Sequence, residues 1–282
     1  MKNYLSLIKF SHTIFALPFA MIGFFLAIDR QAQGIDWKRF VLVVLCMVFA
    51  RSAAMAFNRY IDRDIDKQNP RTARREIPAG VIAPRNALFF ALVNCIAFVT
   101  CTYFINALCL ALSPVALAVI LGYSYTKRFT AWCHFVLGIG LALAPIGAYI
   151  AVTGIFDLLP LLYSFAVLFW VAGFDIIYAL QDEDFDRDWG LNSIPVYMGR
   201  VQALRLSNVL HLIVTALIVY AGIVGPFGWL YVLGASFFIL LLIYQHFLVQ
   251  PHDLSRLNLA FFVTNGISSA IFGAFVLADL FF

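Results

Sequence analysis

The sequence predicts an all-α integral membrane protein with nine transmembrane helices in a single bundle, on three observations. First, 63% of the 282 residues are hydrophobic and only 12% are charged, and the mean hydropathy is +0.91. A soluble domain is about half apolar and about a quarter charged. Second, nine apolar stretches are long enough to cross a bilayer, which takes roughly 17–25 residues. Third, lysine and arginine concentrate in alternate connections between those stretches. These features exclude a water-soluble enzyme, a disordered chain and a nucleic-acid binder of the usual kind, so the expected partners include the lipid bilayer and no nucleic acid.

The stretches follow one another at about 12–28, 40–59, 85–104, 107–124, 132–152, 160–181, 203–225, 228–249 and 258–280. The first, from His12 to Ile28, follows Lys2 and Lys9 and could pass for a signal peptide. It has no small-x-small cleavage pattern and runs on into Asp29-Arg30-Gln31, so it is read as a retained first span. Pro18, Pro114 and Pro145 fall inside spans. Neighbouring helices can accommodate the kinks they cause, because the freed backbone groups find partners there. Strand periodicity is weak throughout. Residues 1–282 are read as one membrane domain.

Fifteen of the 19 basic residues fall on one side of this topology, and seven of them follow the second span. The opposite side holds Arg30, Lys38 and Arg39, while Arg51 lies inside span two. The positive-inside rule then puts the N-terminus and the basic connections in the cytoplasm and the C-terminus outside, as in a bacterial-type inner membrane. The five cysteines (Cys46, Cys95, Cys101, Cys109 and Cys133) all lie in apolar runs and form no CxxC pair. They read as small buried hydrophobes. Trp37, Trp132 and Trp189 read as interfacial belt residues.

Ten of the 15 acids sit in two places, each at the end of an even-numbered span. In the first, Asn58, Asp62 and Asp66 are spaced i, i+4, i+8, which makes one stripe on a helix. Arg51, seven residues earlier, falls on the same stripe. In the second, Asp175, Asp182 and Asp186 are spaced i, i+7, i+11 and share a face if the helix continues through them. Asp175 lies within an apolar run, where an acid is costly and functional by default. Two carboxylate stripes at one membrane surface repel each other unless cations neutralise them. Oxygen donors without His or Cys favour Mg²⁺ or Ca²⁺ over zinc. Mg²⁺ takes one or two carboxylates and completes its shell with water and phosphate, so two such sites suit a diphosphate, with nearby Arg and Lys neutralising the rest.

At this point the chain resembles the UbiA family of membrane prenyltransferases. Asn58, Asp62 and Asp66 match its first motif, Asn-x-x-x-Asp-x-x-x-Asp. Tyr178-Ala179 with Asp182 and Asp186 match its second, Asp-x-x-x-Asp preceded by Tyr-Ala. The run Arg71 to Gly80 resembles a third element and departs at Glu76, where the family commonly has proline. Arg59 also departs, since many members have Asp there. Tyr123 to Arg128 resembles the family's Tyr-Ser…Lys-Arg element, and Arg51 matches an arginine often found seven residues before the motif asparagine. The resemblance covers almost the whole chain.

It implies a nine-helix bundle around a central cavity and Mg²⁺-dependent transfer of a prenyl chain from its diphosphate to an acceptor. On that reading Asn58, Asp62, Asp66, Asp182 and Asp186 hold two Mg²⁺ ions. Arg71, Arg75 and Lys127 meet the leaving diphosphate, and Tyr123 and Tyr178 belong to the substrate site. The donor is a polyprenyl diphosphate and the acceptor an aromatic ring, 4-hydroxybenzoate in quinone biosynthesis or, as an alternative, a naphthoate in menaquinone biosynthesis. Arg51 pairs with an acceptor carboxylate or with diphosphate, or else with Asp64 or a backbone carbonyl. Asp175 orients Arg51, ligates metal through water, or hydrogen-bonds a neighbouring helix. His12 reads as an interfacial residue beside Lys9 rather than a general base. Two other classes compete. The CDP-alcohol phosphatidyltransferases need a single Asp-Gly…Ala-Arg…Gly…Asp-x-x-x-Asp pattern that is absent here. A transporter with an acidic cation site would place its acids at mid-membrane.

Overall fold

The computed structural model describes residues 2–7, 16–32 and 34–282. Among these the chain is helical, apart from connections and one isolated bridge between Gln250 and Asp253. The helices are α1 (Lys2–Leu7), α2 (Leu17–Gln31), α3 (Trp37–Ile61), α4 (Arg63–Gln68), α5 (Pro84–Ile105), α6 (Ala107–Thr126), α7 (Cys133–Thr153), α8 (Leu158–Ala179), α9 (Glu183–Asp188), α10 (Ile194–Val224), α11 (Trp229–Leu248) and α12 (Asn265–Phe281). A π-helical turn, Leu259–Thr264, leads into α12.

Eight helical segments among the described residues are long and apolar enough to span a membrane. They match the second to ninth predicted stretches. The first stretch appears as α2, whose 15 described residues begin with Pro18 in its first turn. That position suits proline, because no backbone donor is needed there. Lys9 and His12 lie outside the described residues. Pro114 and Pro145 are inside α6 and α7, as read from the sequence. Asp36 caps α3 by accepting the backbone N–H of Arg39, and Ser193 caps α10 by accepting that of Val196.

The chain forms two compact units. In the first, α3 packs along α5 and α1 lies against α3. Its core joins Leu7, Ala56, Ile77, Ile82, Ala87 and Ala91, with Tyr4 and Phe90 in ring contact at 5.0 Å. Ile77 and Ile82 are the apolar anchors that fold the α4–α5 connection back onto the helices. Gly80 turns that connection with a φ of +74°, a conformation only glycine adopts without strain.

In the second unit α7 packs on α8, α8 on α10, α2 on α7, and α12 on both α11 and α2. Its centre is aromatic. Phe19, Trp170, Phe238 and Phe272 meet at centroid distances of 5.3–6.2 Å. The Trp170 indole N–H donates to Asn265 Oδ1 at 3.2 Å, which satisfies a buried donor. Close helix approach here rests on missing side chains. A Cβ at Gly23 would collide with the Pro145 carbonyl of α7, and one at Gly138 with the Leu168 carbonyl of α8.

Gly23→Ala should therefore lower stability by about 1–3 kcal/mol, the usual cost of overpacking. Gly147→Ala meets open space and should be neutral or stabilising, since alanine favours helix over glycine. Thermal unfolding of the detergent-solubilised variants measures both. An unchanged midpoint for Gly23→Ala would remove the close α2–α7 contact from the account.

Candidate active site

The first acidic motif sits where one helix gives way to another. α3 ends at Ile61, Asp62 has φ −91° and ψ 6°, and α4 begins at Arg63. The predicted uninterrupted stripe is thus broken at its middle carboxylate. The backbone register survives the break, because Asp62 N–H donates to Asn58 O at 2.9 Å and Asp66 N–H to Asp62 O at 2.7 Å. Asn58 and Asp62 do share a face, with Asn58 Nδ2 donating to Asp62 Oδ2 at 2.9 Å.

Asp66 is buried and well partnered. Arg75 Nη1 donates to both of its carboxylate oxygens, at 2.7 and 2.9 Å. The buried Arg59 lies 3.9 Å away. Thr72 Oγ1 donates to the Asp66 carbonyl at 3.0 Å, and Arg71 N–H donates to Asn69 Oδ1 at 2.9 Å. The basic connection is thereby wound around one carboxylate, which explains why Arg59 is tolerated where the sequence reading noted a departure. Arg71 is exposed. Tyr123, near the end of α6, is half-buried.

Arg51 lies inside α3, and its buried Nε has no hydrogen-bond partner among the described residues. The alternative that it pairs with Asp64 fails, because Asp64 is exposed and instead meets Arg63 at 3.6 Å.

The second motif departs further from one helix. α8 stops at Ala179, a 3₁₀ turn covers Leu180–Asp182, and α9 runs from Glu183. Asp175 is on α8 and Asp186 on α9, and the 3₁₀ turn joins the two helices without a gap. Asp182 is buried at the junction, and Asp186 is 1% exposed. Lys127 Nζ lies 2.7 Å from Asp186 Oδ1. The Asn192 N–H donates to the Lys127 carbonyl at 2.7 Å and ties that lysine's backbone to the segment after the motif. Glu183 is also buried and is held by Arg187 and Arg200, each at 2.6 Å. Tyr178 stacks on Phe261, with centroids 4.0 Å apart, and meets Phe262 edge-on.

Sequence reasoning missed His134. It is buried at the start of α7, and its Nδ1 lies 2.7 Å from Asp175 Oδ2. Of the three roles read for Asp175, the contact to a neighbouring helix is therefore made. A buried carboxylate needs a partner, and that need was the one signal in the sequence that pointed toward a polar residue in another apolar run.

No group of three or more His, Cys, Asp or Glu converges as a metal cage among the described residues. Zinc and calcium sites built by protein alone need such convergence. Mg²⁺ does not, since it usually binds one or two carboxylates and takes water and substrate phosphate for the remainder. Asn58 with Asp62, and Asp182 with Asp186, are oxygen donors of the kind that this habit uses.

Known proteins share both the sequence pattern and the fold of this chain. The sequence model described as the UbiA prenyltransferase family matches residues 16–267. The 4-hydroxybenzoate octaprenyltransferase of Nitrosomonas europaea is 33% identical over 261 residues, 92% of this chain and 87% of that protein. The apo structure of a UbiA homolog from Aeropyrum pernix K1 superposes with a TM-score of 0.85 at 33% identity, covering 95% of this chain and 98% of that one. A UbiA homolog from Archaeoglobus fulgidus, solved bound to GPP and Mg²⁺, shares the fold with a TM-score of 0.77 at 21% identity, covering 99% of this chain and all of that one.

Removing the Arg75 cation should loosen the segment that winds around Asp66. Breaking a buried ion pair costs about 3–5 kcal/mol, and Arg59 at 3.9 Å reduces that cost. Arg75→Met is expected to speed amide hydrogen exchange across residues 69–83, whereas Arg74→Met, at an exposed position, leaves exchange unchanged. Equal exchange in the two variants would mean that the Asp66 pair does not organise this connection.

Proposed function

This chain belongs to the UbiA prenyltransferase family, and from that premise we propose that it transfers a polyprenyl chain from its diphosphate to 4-hydroxybenzoate, in quinone biosynthesis. The supporting observation is that both aspartate motifs lie at the ends of apolar helices, with their buried carboxylates held by basic side chains that keep donors free. Residues 1–282 act as one such membrane domain, with the basic connections and both motifs on the cytoplasmic side, as the asymmetry of lysine and arginine favours.

Asn58, Asp62 and Asp66 would hold one Mg²⁺ ion and Asp182 and Asp186 a second, which would supply positive charge for the donor's diphosphate. When bound, the metal supplies Lewis-acid stabilisation of charge on the leaving group. Arg75 spends one nitrogen on Asp66 and retains its other guanidinium donors. Lys127 has further ammonium donors beyond the contact to Asp186. Arg75 and Lys127 are already oriented by the carboxylates they touch, and with the exposed Arg71 they bind phosphate oxygens. Tyr123 and Tyr178 belong to the prenyl end, where an aromatic face stabilises positive charge developing on the allylic carbon. The rings of Phe261 and Phe262 hold the Tyr178 side chain in place for that task.

At the acceptor end, the buried and unmatched Nε of Arg51 takes the benzoate carboxylate. Asp175 accepts a hydrogen bond from the ring hydroxyl and enriches the ring in electron density. The choice of 4-hydroxybenzoate over a naphthoate follows the names of the curated relatives. A transport function gains no support, since the acids cluster at helix ends and not at mid-helix.

The test is turnover in detergent with geranyl diphosphate, Mg²⁺ and a mixture of 4-hydroxybenzoate and dihydroxynaphthoates, followed by mass spectrometry with an EDTA control. Prenylated 4-hydroxybenzoate that disappears on chelation is the expected result. Diphosphate release without a prenylated ring would overturn the acceptor, and metal-independent product would overturn the role of Mg²⁺.

Asp62→Asn and Asp182→Asn should each lower kcat by at least about 10³-fold, the scale of losing charge stabilisation in a transition state, with the protein still folded. Full activity in both would end the two-motif proposal. Arg51→Met should raise KM for the benzoate while leaving KM for the donor unchanged. A loss of donor affinity instead would move Arg51 to the diphosphate.

A further inference from the structure

His134 is 2% exposed and uses both edges of its ring. Its Nε2 lies 3.3 Å from the backbone nitrogen of Ile194. A backbone N–H donates, so Nε2 is the acceptor and carries no proton. The proton of the neutral ring is then on Nδ1, which lies 2.7 Å from Asp175 Oδ2. The backbone of α10 thus sets the tautomer, and the tautomer sets the direction of the bond, from histidine to carboxylate.

Among the described residues no donor meets the other oxygen of Asp175. Most of α8 around it is buried, including Val171 to Phe174, Ile176 and Ile177. Asp175 is the exception, with its side chain 19% exposed. Tyr178 and Ala179 are also partly accessible. Spaced i, i+3, i+4, these three residues share one helix face. A carboxylate fixed by one donor and open on an otherwise apolar helix suits a second donor that carries an O–H group.

We propose that His134 is a positioning residue for the aromatic acceptor, holding Asp175 so that its free oxygen receives the ring hydroxyl. This rests on the reading of Asp175 given above. The rival role is a purely structural staple. His134 also anchors Ile194, and the adjacent Cys133 thiol approaches the Asn192 carbonyl at 3.7 Å, so in that role the ring only secures the connection that follows the second motif.

Two substitutions separate the roles, because each retains one edge of the ring. In His134→Asn the amide occupies the Nδ1 position and still donates to Asp175, while the link to Ile194 is lost. In His134→Gln the longer amide reaches the Nε2 position and can accept from Ile194, while Asp175 is released. His134→Asn should retain kcat/KM within about threefold. His134→Gln should raise KM for 4-hydroxybenzoate by at least about tenfold, the cost of a poorly oriented group, with KM for geranyl diphosphate unchanged. The reverse order of the two variants, or equal shifts in donor and acceptor KM, would overturn the proposal.

Ligand binding to the unaltered protein supplies a test that does not depend on how a variant folds. 4-Methoxybenzoate lacks the hydroxyl hydrogen and should bind at least about tenfold more weakly than 4-hydroxybenzoate, because the carboxylate is left unpaired. In His134→Gln that discrimination should collapse. Equal affinities in the unaltered protein would overturn the inference. If the unaltered protein prenylates 4-hydroxybenzoate and His134→Gln does so equally well, this inference falls and the proposed function stands. If the unaltered protein leaves 4-hydroxybenzoate unprenylated, the acceptor reading itself falls.

Discussion

An ionised carboxylate taken into or beside an apolar helix costs several kcal/mol unless a cation or a set of donors meets it. For five such acids this chain answers that cost with a partner from the same compact unit. Asp66 has Arg75 and Arg59, Asp186 has Lys127, Glu183 has Arg187 and Arg200, and Asp175 has His134. Asp157 follows the same rule, with Arg30 and the Tyr149 hydroxyl as its partners. Much of the non-helical structure exists to deliver these partners. The connection between α4 and α5 turns through Gly80 and is pinned by Ile77 and Ile82, and within it Arg75 returns to Asp66.

The same constraint explains why both motifs interrupt their helices. A helix carries residues i and i+4 on one face but moves them steadily along its axis. Beyond the interruptions after Ile61 and after Ala179, Asp66 and Asp186 meet cations on other segments, Arg75 and Lys127. Asp62 and Asp182 occupy the two junctions. The motif carboxylates are therefore set in place before any substrate arrives, which is the condition for electrostatic stabilisation without reorganisation.

Individual residues show how far the sequence could be read. The second to ninth spans matched helices because hydropathy over a bilayer's length is a local property. Asn58 and Asp62 met as their spacing required, since four residues is one helical neighbour step. The interruptions after Ile61 and after Ala179 were not legible, because a hydrophobic pattern gives no sign of a break where both flanks are polar. His134 was passed over because it is 41 residues from Asp175 and no helical period links them. Arg51 was offered Asp64, and Arg63 took it instead.

By itself the sequence determined the membrane class, the order of the helices and the two aspartate motifs. Each of these is written in one dimension, as runs of apolar residues or spacings of a few positions. Only the tertiary structure decided which cation neutralises which acid, where the motif helices break, and which ring edge of His134 carries the proton. Those outcomes depend on packing that joins residues as distant as Lys127 and Asp186. The low polarity of their surroundings makes each such choice of partner worth several kcal/mol.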